Sequence, residues 1–179
     1  MGNIRRSRGY NFEHALVERF NRSEGWHARR LGGSSTGLPD IVALNNERSI
    51  LLAIEAKSGT GDILYVPPDQ IARCVLVRDM FSVYKERKIV FAFKFLSKKR
   101  FRRKNKTVYE QRKLVEYFKV ADSVDAHGDL TVKCTYEGRT YSLRENAQSV
   151  ELNLPDFAMP FSDELRSTAQ ARISRLASH

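Results

Sequence analysis

Leu38-Pro39-Asp40-Ile41-Val42-Ala43-Leu44-Asn45 and Ile50-Leu51-Leu52-Ala53-Ile54-Glu55-Ala56-Lys57 are two apolar runs joined by the polar residues 46–49. Each run is short and bounded by turn-forming residues, the pattern of strands in a buried sheet. If residues 46–49 form the turn, Asn45 faces Ile50 and the continued ladder sets Asp40 opposite Glu55. The fourteen residues between those two acids are the spacing a hairpin needs to oppose them. Side chains alternate along a strand, so Glu55 and Lys57 share one face while Ile54 and Ala56 point to the other. Two carboxylates and one ammonium therefore meet at one end of a hairpin. Carboxylate oxygens suit a hard ion such as Mg²⁺. A lysine beside such an ion stabilises the charge that builds when a phosphodiester is attacked.

A Glu-x-Lys triplet by itself is common on solvated strand faces, and a Lys57 salt bridge to one acid is the ordinary alternative. Context argues for more. Glu55 ends an otherwise apolar strand, where an unpartnered carboxylate is costly unless a cation or donor meets it.

Outward from the hairpin, residues 10–22 carry Phe12, Leu16 and Phe20 at helical spacing, with Gly25 as the stop. Residues 1–9 hold Arg5, Arg6 and Arg8 and read as a mobile basic arm, while 26–31 read as a short strand and 32–37 as a flexible loop. Pro67-Pro68-Asp69 starts a second helix, with Ile71, Val75, Val77, Met80, Phe81 and Tyr84 as its buried stripe. Strands are expected at 89–96 and 114–121, and a hairpin at 130–144 turning at Glu137-Gly138. Seven of the nine residues from Lys98 to Lys106 are basic, and that run reads as a solvated loop able to meet nucleic acid. A terminal helix is expected over 163–177, N-capped by Ser162. The order defines an α/β class with a central mixed sheet flanked by helices. It divides into a 1–9 arm, a 10–121 core and a 122–179 hairpin-and-helix extension packed on that core.

The chain has 179 residues, enough for one core, and 31 Lys and Arg against 21 Asp and Glu give a net charge of +10. That excess favours a polyanionic partner. Cys74 and Cys134 stand far apart with no metal-ligand spacing, so zinc and a disulfide framework are not implied and reduced cytoplasmic thiols are expected. No membrane-spanning run, signal peptide, Walker loop or dinucleotide fingerprint is present in the sequence. Ser34 and Ser35 lack an evident base partner, which argues against a serine nucleophile. Glu13 lies beside the first helix's apolar stripe. It reads either as a helix-dipole partner or as a third acid that orients water or completes a second ion site. Of Arg29 and Arg30, neighbours on one strand, at most one points at the acids.

The ordered set Arg8-Gly9, Phe12-Glu13, Gly25-Trp26, Arg30, Gly33-Ser34, Pro39-Asp40-Ile41-Val42-Ala43, Ile54-Glu55-Ala56-Lys57 and Leu64-Tyr65-Val66 resembles archaeal Holliday junction resolvases. These belong to the restriction-endonuclease-like nuclease superfamily. The similarity runs from about residue 8 to residue 96. It implies a restriction-endonuclease-like core, and it implies that Asp40 and Glu55, with Glu13 as a further acid and help from the Ala56 carbonyl, bind Mg²⁺, with Mn²⁺ as a substitute. Lys57 would activate the attacking water, Glu13 would be an essential early acid, and Arg30 and Ser34 would match the family's arginine and loop serine. DNA contacts are expected from Arg5, Arg6, Arg29, Arg30 and Ser34. The implied partner is branched, four-way-junction DNA, cut symmetrically by a homodimer in recombination and repair. His14 stands where relatives often carry arginine, and the residues after 98 exceed the family pattern. The rival functions are a nuclease of duplex, nicked or flap DNA and a non-catalytic branched-DNA-binding module.

Overall fold

The computed structural model describes residues 4–32, 36–103, 106–124, 130–144 and 148–162, with the side chains of residues 4–8 left aside. In chain order the elements are α1 (Ile4–Arg22), β1 (Trp26–Arg30), β2 (Ile41–Asn45), β3 (Ile50–Gly59), β4 (Ile63–Val66), α2 (Pro68–Met80), β5 (Glu86–Phe95), β6 (Lys98–Arg103), β7 (Lys106–Gln111), β8 (Val115–Val120), β9 (Thr131–Thr135), β10 (Thr140–Leu143) and β11 (Val150–Glu151).

The 46–49 turn forms where the loop length requires it. Asn45 pairs with Ile50 and Ile41 with Ile54, so the same register carried one step further opposes Asp40 to Glu55. Asn45 is buried and its Oδ1 accepts the Arg48 amide at 3.0 Å, which fixes the turn from inside. The central sheet runs β1-β2-β3-β5-β8. Its one parallel pair, β3 with β5, needs a crossover, and α2 lies on it.

Alternation along the central strands builds a core on each face. Leu52, Ile54 and Ala56 of β3 and Val90 and Ala92 of β5 pack with Phe12, Leu16 and Phe20 of α1. Ala53, Phe91, Phe93 and Phe95 face the other way, against Ile71, Cys74 and Val77 of α2. Burying one such phenylalanine contributes about 1.5–3 kcal/mol. Glu116 of β8 accepts from Arg19 at 2.6 Å and from Lys94 at 3.0 Å, tying α1 to the sheet through a buried acid.

A second sheet, β11-β10-β9-β4, covers the α2 side. The β9–β10 hairpin turns at Glu137-Gly138 as the sequence indicates, and Gly138 has φ +82° with the Tyr117 ring so close that a Cβ would collide with it. Gly25, at φ +73°, likewise closes α1. The chain then returns along β8. Val120 donates to Pro155 O at 2.9 Å and Phe157 to Phe118 O at 2.8 Å, which satisfies the edge strand. Phe161 packs edge-on against Phe20 and Phe118.

Several expectations are corrected. Helix α1 begins at Ile4, so most of the 1–9 arm is helical backbone. The 98–106 run is not a loop: it forms β6 and enters β7. The buried side of α2 is Ile71, Cys74 and Val77, while Met80 and Phe81 are exposed because the helix stops at Met80 before its stripe continues. The 63–66 segment pairs with β9, a partner far along the chain. The helix expected over 163–177 lies outside the described residues. Both cysteines are buried and free. No helix among the described residues is long and apolar enough to cross a membrane.

Candidate active site

Glu55 sits at the middle of β3 and is 1% exposed. Its Oε1 accepts from Lys57 Nζ, two residues along the same strand face, at 2.5 Å. Its Oε2 is buried with no hydrogen-bond partner among the described residues. Asp40, just before β2, accepts the Ala56 amide on Oδ2 at 2.9 Å. Burial pushes the Glu55 carboxyl up to about 7; the Lys57 ammonium opposes this and the Asp40 charge adds to it. The carboxylates are thus close enough to repel, with one oxygen left for a cation to meet.

Glu13 reaches the same neighbourhood from α1. Its Oε2 accepts from Arg30 through Nε and a terminal guanidinium nitrogen, both at 2.7 Å. The Arg30 guanidinium lies 4.3 Å above the Tyr10 ring, which restrains it further. Burial first and the charge of Asp40 second raise the Glu13 carboxyl, against the pull of Arg30 and Lys57. Cys74 of α2 registers the same fields from the other side. Burial raises its thiol, and the charges of Glu55 and Asp40 add to the shift.

Sheet geometry thus brings Asp40, Glu55 and Lys57 together, and helix α1 adds Glu13 with Arg30. Arg29 faces the other side of β1 from Arg30 and is exposed; its register with Val42 and Ala53 puts it on the sheet face that carries Glu55 and Lys57. Arg5 and Arg6 lie in the α1 backbone with side chains not described, and Ser34 falls outside the described residues. Among the described residues no group of three His, Cys, Asp or Glu side chains is set to hold an ion, and Glu13 is engaged by Arg30. The residues that do fit a hard cation are Asp40 and Glu55, through the unpartnered buried oxygen. One participant escaped the sequence reading. Tyr10 lies three residues before Glu13, on the same helix face, and that spacing was the available signal.

A mixed sheet with helices on both faces and an Asp…Glu-x-Lys hairpin is the architecture of a restriction-endonuclease-like nuclease. The chain belongs to the archaeal Holliday junction resolvase (Hjc) family, whose model matches residues 4–126. The match therefore reaches past the motif-bearing strands and beyond the end of β8. Among solved structures, Archaeoglobus fulgidus Hjc, a Holliday junction resolvase from an archaeal hyperthermophile, is 21% identical with a TM-score of 0.46, covering 79% of this chain and 93% of that one. No curated protein sequence matches the chain.

Proposed function

We propose that this protein is a Mg²⁺-dependent endonuclease, with Mn²⁺ able to substitute, that resolves four-way DNA junctions by paired symmetric incisions in recombination and repair. The observation that carries the chemistry is the buried Glu55 carboxylate with Oε2 unpartnered beside Asp40. Burial of an acid without a protein donor is costly, and a divalent cation offsets that cost.

Asp40 and Glu55 hold the ion. When bound, it supplies Lewis-acid stabilisation of charge on the phosphoryl oxygens. Lys57, fixed by Glu55, presents an ammonium to the same oxygens and to the attacking water. Glu13, oriented by Arg30, helps position that water in line with the scissile bond. The water oxygen forms the new bond to phosphorus and gives its proton to solvent, while the P–O3′ bond breaks and the leaving O3′ takes a proton from solvent. The products are a 5′-phosphate and a 3′-hydroxyl.

Two cuts on opposed strands require two sites, so the working form is a homodimer acting on cytoplasmic DNA. The outer side of α2 supports this assembly: Leu76 is 53% exposed and Met80 60%, one turn apart, and Val83 beyond the helix is 81% exposed. Incubating the protein with matched four-way-junction and linear-duplex substrates, with Mg²⁺ and with chelator, tests the reading. Metal-dependent cleavage of the junction in preference to duplex is expected. Equal cleavage of both would place the protein with general duplex nucleases, and binding without cleavage would make it a non-catalytic module.

A further inference from the structure

Strands β5 and β8 are antiparallel neighbours, with Phe95 paired to Val115. A tight turn of a few residues suffices to join such strands. This chain instead inserts residues 96–114, which fold as the two-stranded ribbon β6–β7 and belong to neither large sheet. Between the two ladders, residues 96–97 oppose residues 112–114, the unequal count of a bulge, and such a count bends a ribbon away from its parent sheet.

The ribbon is clamped at its base. The Arg112 guanidinium donates to Leu96 O, Asp62 Oδ1 and Gly61 O, each at 2.9 Å, and lies 4.5 Å above the Tyr136 ring. Lys99 pairs with Asp62 at 2.7 Å, and the Arg100 amide donates to Thr60 O at 3.1 Å. Those acceptors lie in the turn that follows β3. The ribbon therefore stands on the end of the strand that carries Glu55 and Lys57.

Pairing sorts its side chains onto two faces. Lys99, Phe101 and Arg103 share one face with Lys106, Val108 and Glu110, and Phe101 and Val108 are half-buried there. The opposite face presents Lys98, Arg100 and Arg102 with Thr107, Tyr109 and Gln111, all exposed and without an acid. Among the described residues none of those three cations has an ion-pair partner. The one acid of the two strands, Glu110, falls on the other face, opposite Lys99, so the Lys98, Arg100 and Arg102 face carries positive charge alone.

We infer that the ribbon is a DNA-gripping arm: Lys98, Arg100 and Arg102 hold phosphates of the duplex arm that leaves the cut point. The inference rests on the nuclease reading above and extends it to a surface outside the acid cluster. A two-stranded ribbon is narrow enough to track a DNA groove, and arginine forks match phosphate oxygens. Phosphate contacts position the duplex without reading its sequence.

The test is equilibrium binding to a labelled four-way junction and to a linear duplex in chelator, across a salt series. The variant pair is Arg100→Gln with Arg102→Gln. A control pair, Arg48→Gln with Lys85→Gln, removes equal charge at the opposite end of the sheet, where both residues are exposed. The arm predicts a roughly tenfold loss of affinity for both DNAs and a salt slope shallower by about 2, with little change for the control pair. Arg100→Lys with Arg102→Lys, which keeps the charge, should retain most of the affinity and shows that loss of charge, not misfolding, is being read. A loss no larger than that of the control pair would overturn the inference. Wild-type protein that binds and cuts junction and duplex equally would instead sink the resolvase reading, and the ribbon comparison on duplex would still stand.

Discussion

The Ala56 amide donates to Asp40 Oδ2 at 2.9 Å, so the first acid of the site grips the backbone of the strand that carries the second. Asp40 thus has two tasks, one structural and one electrostatic, and they can be separated. Asp40→Asn keeps an acceptor for the amide and removes the charge. Asp40→Ala removes both. The asparagine variant should unfold at close to the wild-type temperature while junction cleavage falls by about 100-fold or more. The alanine variant should lose a further ~1–3 kcal/mol of stability, because the amide is left without its partner. Thermal unfolding beside a single-turnover cleavage assay checks both.

Glu55 gives a pH dependence whose sign is fixed. Its carboxyl is pushed from an ordinary 4.5 up to about 7, by burial first, with Lys57 opposing and Asp40 adding. The folded state therefore holds this proton more tightly than the unfolded chain does. Without metal, the Glu55 contribution to stability is fully present below about 4.5 and is lost as pH rises from there through about 7. Glu13, also raised, contributes with the same sign. Glu55→Gln has no proton to lose at this position and should flatten most of the decline, so in chelator above that window it melts higher than wild type. Added Mg²⁺ should raise the wild-type melting temperature and leave the glutamine variant unmoved. Melting curves across pH, with and without the ion, carry the test.

Arg30 holds Glu13 at 2.7 Å and is itself held over Tyr10. Arg30→Ala strands a largely buried acid, with an expected cost of about 1.5–3 kcal/mol. Adding Glu13→Gln should recover part of that stability but none of the activity if, as proposed, the carboxylate positions the attacking water. A double-mutant cycle in urea, with cleavage measured on each protein, separates the two roles.

In the homodimer proposed above, the exposed Leu76 and Met80 side chains on α2 are the surface expected to meet the second copy. Leu76→Glu with Met80→Glu should give a monomer in sedimentation experiments, with unfolding unchanged because both residues already face outward. The monomer should nick a junction arm yet fail to make the paired cut, which a supercoiled cruciform substrate distinguishes as nicked against linear product. Retention of the dimer would move the interface elsewhere on the molecule.

The hairpin was legible because a four-residue turn between two apolar runs leaves only one register that buries both. Glu55 and Lys57 followed from strand alternation alone. The division between Arg29 and Arg30 was legible for the same reason: the two face opposite sides of β1, and Arg30 pairs with Glu13. The 98–106 run was not legible as strand. Its cations mask the single cross-strand apolar pair, Phe101 with Val108, and the Arg112 clamp that steadies it is a tertiary contact. Pairing of β4 with β9 was hidden because strand partners distant in sequence leave no local pattern. Helix α1 reaches back to Ile4 although the arginine-rich residues there carry no apolar periodicity that would announce it.

The central claim is that the Asp40 and Glu55 carboxylates, with Lys57, cut branched DNA through a divalent ion. Cleavage of a four-way junction by wild type and by Glu55→Gln, with Mg²⁺ titrated against a fixed protein concentration, tests it most directly. Wild type should give symmetric, Mg²⁺-dependent incisions that saturate with the ion, while Glu55→Gln binds the junction with unchanged affinity in chelator and leaves it uncut. Junction cleavage by Glu55→Gln at the wild-type rate, or wild-type cleavage that persists in chelator, would contradict the account.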